Sequence, residues 1–79
     1  MSSRTNEIAA SVERTLTQYF LDLDGEKPAA IYDMVIRTVE RPMLEFVLRK
    51  ANGNQTAAAE ILGINRNTLR RKLSEYDLL

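Results

Sequence analysis

The 79-residue sequence contains no cysteine and no histidine. Disulfides, thiol nucleophiles, most zinc sites and the usual acid–base side chain are therefore excluded. No apolar run approaches the roughly 18 residues that a membrane span requires, and the stretch from Met1 to Asn6 is polar. The carboxylates are scattered, with no nucleophile or phosphate-binding loop beside them. We therefore expect a cytoplasmic protein that is not an enzyme and uses no metal, cofactor, small-molecule substrate or membrane.

The sequence also lacks a net charge: 11 basic side chains balance 11 acidic ones, so the sum is zero. A neutral total argues against a nucleic-acid partner. The distribution is uneven, however: residues 1–48 hold five basic and eight acidic side chains, whereas residues 49–79 hold six basic and three acidic ones. This asymmetry indicates that the C-terminal part is a basic functional region and that the rest of the chain is acidic. A random distribution of charges explains it about equally well.

The first half of the chain predicts two long helices. Apolar residues recur at spacings of three and four between Ile8 and Leu23, which is typical of an amphipathic helix. Gly25 suits the C-terminal cap of this helix, and Pro28 suits the first turn of the next one. The second helix is predicted from about Ala29 to Lys50.

Pro42 is the only helix breaker in this second segment. We expect it to kink the helix rather than divide it, because the apolar spacing continues in phase across it. The apolar stripe is wide, as in a helix buried between several neighbours. A chain this short buries only about 60% of its unfolded surface, which makes a lone monomer marginal. We therefore expect a dimer core, while a monomeric bundle stays open.

The last third predicts a helix-turn-helix, with helices over Gln55–Leu62 and Arg66–Tyr76 separated by the turn Gly63-Ile64-Asn65. Ala59 permits a close crossing of the two helices, and Gly63 allows the positive φ that ends the first one. Asn54 and Asn65 are the predicted N-caps. The apolar contacts are expected from Ile61, Leu62, Ile64, Leu69 and Leu73. The alternative is that the two helices form only a packing corner and do not bind DNA.

Leu69, Leu73 and Tyr76 place the apolar face of the final helix inward, so its opposite face is polar. No acidic residue lies between Gly63 and Ser74. A helix whose leading end presents Asn65 and Arg66 can enter a major groove, where the arginine donates two hydrogen bonds to guanine. Other polar groups at the two helix starts and along the last helix are expected to contact phosphates. They are Asn54, Gln55, Thr56, Thr68, Arg70, Arg71 and Lys72.

Residues 53–73, GNQTAAAEILGINRNTLRRKL, closely resemble the helix-turn-helix of the Fis family and of the related C-terminal domains of sigma-54 enhancer-binding activators. Residues 16–25 and 31–48 look like the first two helices of the Fis family itself, including the proline inside the second. The resemblance covers essentially the whole chain.

The resemblance implies a single all-α domain over residues 1–79, built as a four-helix subunit. Residues 8–50 form the dimerisation helices, which intertwine with those of a second copy, and residues 54–76 form the DNA-binding helix-turn-helix. Asn65 and Arg66 match the base-contacting pair of the family. The implied function is sequence-tolerant binding and bending of double-stranded DNA in nucleoid organisation and transcriptional regulation. The protein is then nucleoid-associated, with RNA polymerase as a candidate partner.

Some residues depart from the family pattern. Ala57 stands where an arginine is familiar, and Ser74 and Glu75 replace a basic pair, so we expect lower non-specific affinity. Because the first helix lies so near Met1, we expect no N-terminal arm and no stimulation of DNA invertases.

Two other functions stay open on the sequence. The chain could be the DNA-binding domain of a sigma-54 activator, although the initiator methionine and the complete helical core favour a free-standing protein. It could also be a helical protein-interaction module whose basic helix meets an acidic partner. DNA binding that weakens steeply with salt separates the latter from the first hypothesis.

Overall fold

The computed structural model describes residues 3–79, with side-chain exposure from Asn6 onward. Within that range it contains four helices and no strand, which confirms the predicted all-α fold. The helices are α1 (Ser3–Leu23), α2 (Ile31–Lys50), α3 (Gln55–Leu62) and α4 (Arg66–Glu75). No described helix is both long and apolar enough to cross a bilayer.

The described chain forms two compact units, one up to Val35 and the other from Ile36 to Leu79. The helix α2 begins in the first unit and ends in the second. A single domain over residues 1–79 stays a prediction, as does the division into dimerisation helices and a DNA-binding part.

The first unit consists of α1, the segment after it and the start of α2. As predicted, α1 stops just before Gly25, where Asp24 and Gly25 both have positive φ, at 49° and 89°. The amide of Glu26 donates to the carbonyl of Leu23 at 3.1 Å across this turn. A right-handed helix cannot continue through such residues.

The prediction that Pro28 lies in the first turn of the second helix is wrong. Ala30 has a φ of 53°, which is left-handed and unusual for an alanine. The helix α2 therefore begins only at Ile31, and Ala30 accepts a hydrogen bond from the amide of Met34 at 3.0 Å. Pro28 precedes the helix instead of starting it.

Pro42 lies inside α2, which runs unbroken from Ile31 to Lys50, so the alternative of two separate helices is wrong. The helix stops at the predicted Asn-Gly sequence. Asn52 has a φ of 55°, and the amide of Gly53 donates to the carbonyl of Leu48 at 2.9 Å. This is the bonding pattern of a left-handed helix stop, and it turns the chain into α3.

The core of the second unit is formed by α2, α3 and α4 together. Its buried residues are Leu44, Ala58, Ala59, Leu69, Leu73 and Tyr76. Burial of Ala59, Leu69 and Leu73 agrees with the sequence analysis, and Leu62 and Ile64 pack against the same cluster. Non-directional apolar burial thus holds α4 against the end of α2.

The expected core contact of Ile61 is wrong, because its side chain is 60% exposed. The helix α3 faces the core through Ala58, Ala59 and the partly buried Leu62. A neighbouring residue on a helix points about 100° away, which carries Ile61 out of the interface.

Candidate nucleic-acid interface

The turn between α3 and α4 is set by Gly63. Its φ is 74°, and its amide donates to the carbonyls of Ala59 at 2.9 Å and Glu60 at 3.2 Å. The amide of Ile64 also reaches Ala59, at 3.1 Å. These bonds close the end of α3 so that α4 begins at Arg66. The predicted helix, glycine turn and helix are confirmed, and the predicted end at Tyr76 is the cap residue of α4.

Both predicted N-caps are present. The Oδ1 atom of Asn54 accepts from the amide of Ala57 at 3.0 Å, and that of Asn65 accepts from the amide of Asn67 at 2.7 Å. Each cap satisfies an amide that the helix start leaves without a partner. The Nδ2 group of Asn65 can still donate to an acceptor outside the protein while its oxygen caps the helix.

The leading end of α4 is open to solvent. Arg66 is its first residue, and Asn65, Arg66 and Asn67 are all exposed. Within the described part of the chain, Arg66 and Arg70 have no ion pair or hydrogen bond from their side chains. Their guanidinium groups can therefore meet an anion without breaking an internal contact.

The residues predicted to touch phosphates fall on two helix starts and one helix face. Gln55 and Thr56 open α3, the first half-buried and the second exposed. On α4, Thr68 is half-buried and Arg70 is exposed. Backbone amides at a helix start attract anions, and the short polar side chains add donors beside them.

The remaining two basic residues of α4 differ from each other. Arg71 is exposed, and its Nε atom lies 3.9 Å from Oε1 of Glu75. By contrast, Nζ of Lys72 lies 2.7 Å from Oε2 of Glu40, and the side chains are only 26% and 16% exposed. Lys72 was predicted from the sequence to contact phosphate, and its pairing with Glu40 was not predicted. Its position three residues after Leu69 and four before Tyr76 was the available signal, because that spacing turns it toward the apolar face.

Comparison with known proteins identifies the family of this chain. Residues 35–76 match the profile of the family described as "Bacterial regulatory protein, Fis family". The chain is 51% identical over 74 residues to a Fis-like DNA-binding protein of Ralstonia nicotianae, an alignment that covers 94% of this chain and 96% of the relative. The chain belongs to the Fis family.

Other relatives of this Fis-family chain carry the same description. One from Neisseria meningitidis serogroup A is 47% identical over 73 residues, or 92% of each chain. One from Pseudomonas aeruginosa is 52% identical over 69 residues, which span 87% of this chain and 66% of the relative. The family resemblance inferred from the sequence is thereby confirmed.

The partner of Lys72 belongs to a small polar cluster in this Fis-family chain. Glu40 accepts from Lys72 and, through Oε1, from the hydroxyl of Tyr76 at 2.7 Å. These two hydrogen bonds lower the pKa of Glu40 below its usual value of 4.5. Donation to the carboxylate raises the pKa of Tyr76 above 10.0. Arg37 also faces the cluster, with its guanidinium carbon 5.7 Å from the centre of the Tyr76 ring.

Proposed function

We propose that this Fis-family chain is a homodimer that binds double-stranded DNA with the leading end of α4 in the major groove. We further propose that it bends the DNA it binds and acts in transcriptional regulation and nucleoid organisation. The observation that carries the proposal is Arg66, which lies at the exposed start of α4 in a helix-turn-helix and whose side chain has no ion pair or hydrogen bond in the described part of the chain. The relatives at about half identity, which are named as DNA-binding proteins, support it.

Arg66 and Asn65 are the proposed base contacts. A guanidinium group at the leading end of a recognition helix can donate to O6 and N7 of guanine together, which only the major groove presents. The oxygen of Asn65 caps its own helix, while its Nδ2 group can donate to a base acceptor. So few base contacts support sequence-tolerant binding.

Phosphate contacts are proposed from the two helix starts and from the exposed arginines of α4. They comprise Asn54, Gln55, Thr56, Thr68, Arg70 and Arg71. Such contacts fix the register of the protein on the duplex without reading sequence. They also make the affinity fall steeply with salt, because bound counterions are released from the DNA.

The dimer is supported by an uncovered apolar stripe on α2. Ile36, Val39, Met43 and Phe46 recur at spacings of three and four, and each is at least 40% exposed in the single chain. A stripe of this spacing is typical of a helix that packs lengthwise against another helix. The homodimer implied by the family resemblance would cover it.

Bending follows from the family resemblance. In that arrangement the two recognition helices lie closer together than one turn of straight DNA, so the duplex must curve to admit both. The cost of such a bend is on the order of 1–6 kcal/mol and depends on how easily the central base steps deform. Sequence preference at uncontacted positions would arise in this way.

The test is a gel-shift titration with circularly permuted DNA fragments, in which wild type is compared with Arg66→Ala. We expect wild type to bind with a position-dependent mobility and Arg66→Ala to lose about fivefold or more in affinity, since a bidentate base contact contributes roughly 1–3 kcal/mol. Arg14→Ala, on α1, removes the same charge outside the second unit and serves as the matched control. Equal affinity for the two variants would overturn the role of Arg66.

A further inference from the structure

Lys72 is surrounded differently from the other basic residues of α4. Its ammonium group pairs with Glu40 at 2.7 Å, and its side chain is 26% exposed, whereas that of Arg71 is 66% exposed. A half-buried ion pair with short geometry is costly to separate, because each charge would lose its partner. Lys72 is therefore held by the protein rather than presented to solvent.

The end of α4 is tied to α2 by three directional contacts. Lys72 and the Tyr76 hydroxyl donate to the two different oxygens of Glu40, both at 2.7 Å. Nη1 of Arg41 donates to the backbone carbonyl of Tyr76 at 2.8 Å, where it satisfies a helix-end acceptor. One carboxylate on α2 thus receives two side chains, one from the last turn of α4 and one from its C-terminal cap residue.

Directional contacts matter here because the rest of the interface is apolar. Packing of Leu44 with Leu69 and Leu73 opposes separation of the helices but fixes rotation and sliding only through shape. Hydrogen bonds fall off steeply outside a narrow range of distance and angle. Contacts such as those of Glu40 can therefore restrict the rotation of α4, which carries Arg66 at its opposite end.

We infer that Glu40 is a positioning residue for the recognition helix and that Lys72 is its counter-ion rather than a phosphate contact. This inference rests on the proposed DNA binding. It replaces the expectation from sequence that Lys72 touches the DNA backbone.

The inference predicts an effect opposite in sign to simple electrostatics. Removing an acidic charge from a DNA-binding protein ordinarily strengthens its binding to the negatively charged DNA. Glu40→Gln should instead weaken binding by about fivefold, because the ion pair that orients α4 is lost. Tyr76→Phe, which changes no charge at neutral pH, should weaken binding by about twofold to threefold.

The salt dependence separates a positioning residue from a phosphate contact. The slope of log affinity against log salt is about −0.9 for each neutralised phosphate. Arg70→Gln in both subunits should make the slope shallower by about 1.8, whereas Lys72→Gln should weaken binding and leave the slope unchanged. Because Glu40 and Lys72 act as one pair, the double variant Glu40→Gln/Lys72→Gln should bind about as well as either single variant.

The experiment is a fluorescence-anisotropy titration of one labelled duplex between about 50 and 200 mM salt with wild type and these variants. Circular dichroism at the assay temperature establishes that each variant is folded, and Tyr76→Phe serves if Glu40→Gln is not. Folded Glu40→Gln or Tyr76→Phe that binds as tightly as wild type would overturn the inference, as would a slope for Lys72→Gln that matches Arg70→Gln. If wild type does not bind DNA at all, the proposed function itself is overturned. That result is distinct from the two outcomes that would overturn only the inference about Glu40 and Lys72.

Discussion

Arg71 and Glu75 lie one turn apart on α4, with Nε of the arginine 3.9 Å from Oε1 of the glutamate. Both side chains are well exposed, at 66% and 49%, so the pair contributes little to stability. Its acidic member is near the C-terminus of the helix, where negative charge is unfavourable. A carboxylate in this place partly neutralises an arginine that is proposed to meet a phosphate.

We predict that Glu75→Gln tightens DNA binding by about twofold to fivefold without a loss of stability, because Arg71 is then no longer paired within the protein. Glu13→Gln makes the same change of charge on α1, in the other compact unit, and controls for the change in net charge. The two variants are compared by anisotropy titration at low salt. An equal gain for both would assign the effect to net charge, and no gain for Glu75→Gln would contradict the prediction.

The Glu40 cluster also predicts how stability depends on pH. Glu40 is faced by Lys72, Tyr76 and Arg37, and its pKa in the folded protein is below 4.5. A carboxyl group with a lowered folded pKa stabilises the fold above its unfolded pKa, and this contribution is lost as the pH falls through the folded value. Tyr76 behaves in the reverse way, because its raised pKa gives stability below about pH 10 that is lost as the pH rises through the folded value.

We therefore expect Glu40→Gln to be less stable than wild type at neutral pH, with a difference that shrinks as the pH falls below about 4.5. The free energy of unfolding is measured by urea denaturation across this range. Glu13 is exposed and has no side-chain partner in the described part of the chain, so Glu13→Gln is the matched control. A Glu40→Gln difference that stays constant into acid would contradict the assignment.

Local signals explain what could be predicted from the sequence. Asn54, Gly63 and Asn65 act on their own helix ends through bonds to nearby residues, so residue type and spacing were enough to place α3, the turn and α4. The same holds for the stop at Asn52, whose amide side chain tolerates the left-handed region.

The features that could not be predicted depend on tertiary contacts or on residues whose type gives no sign of their conformation. Tyr76 and Glu40 are 36 residues apart, and nothing in the local pattern of α4 indicates a carboxylate on α2. Ala30 adopts a left-handed φ although alanine does not favour it, so the late start of α2 could not be read from residue type. Ile61 fits the helical spacing of the apolar residues, but its side chain is exposed because it lies on a face of α3 that is turned away from the core.

The glycine of the turn gives a third prediction. Gly63 has a φ of 74°, and a Cβ atom placed there would meet nothing within 4 Å. Gly63→Ala should therefore destabilise the fold by about 1 kcal/mol through backbone conformation alone, and Gly63→Asn should cost less because asparagine tolerates this region better. Urea denaturation of the three proteins tests the order. Wild-type stability in Gly63→Ala would contradict the backbone argument.

The last prediction concerns the apolar stripe of α2. Val39 lies in its middle and is 41% exposed in the single chain, so Val39→Lys would place two charges inside the proposed dimer core. Ile61 is 60% exposed on α3, outside the stripe, and Ile61→Lys is the same kind of substitution. Light scattering coupled to size exclusion should give wild type and Ile61→Lys twice the mass of one chain, and Val39→Lys the mass of one chain or an unfolded protein. If wild type itself has the mass of a single chain at high concentration, the stripe is not a homodimer interface. Each chain would then bind DNA through a single recognition helix.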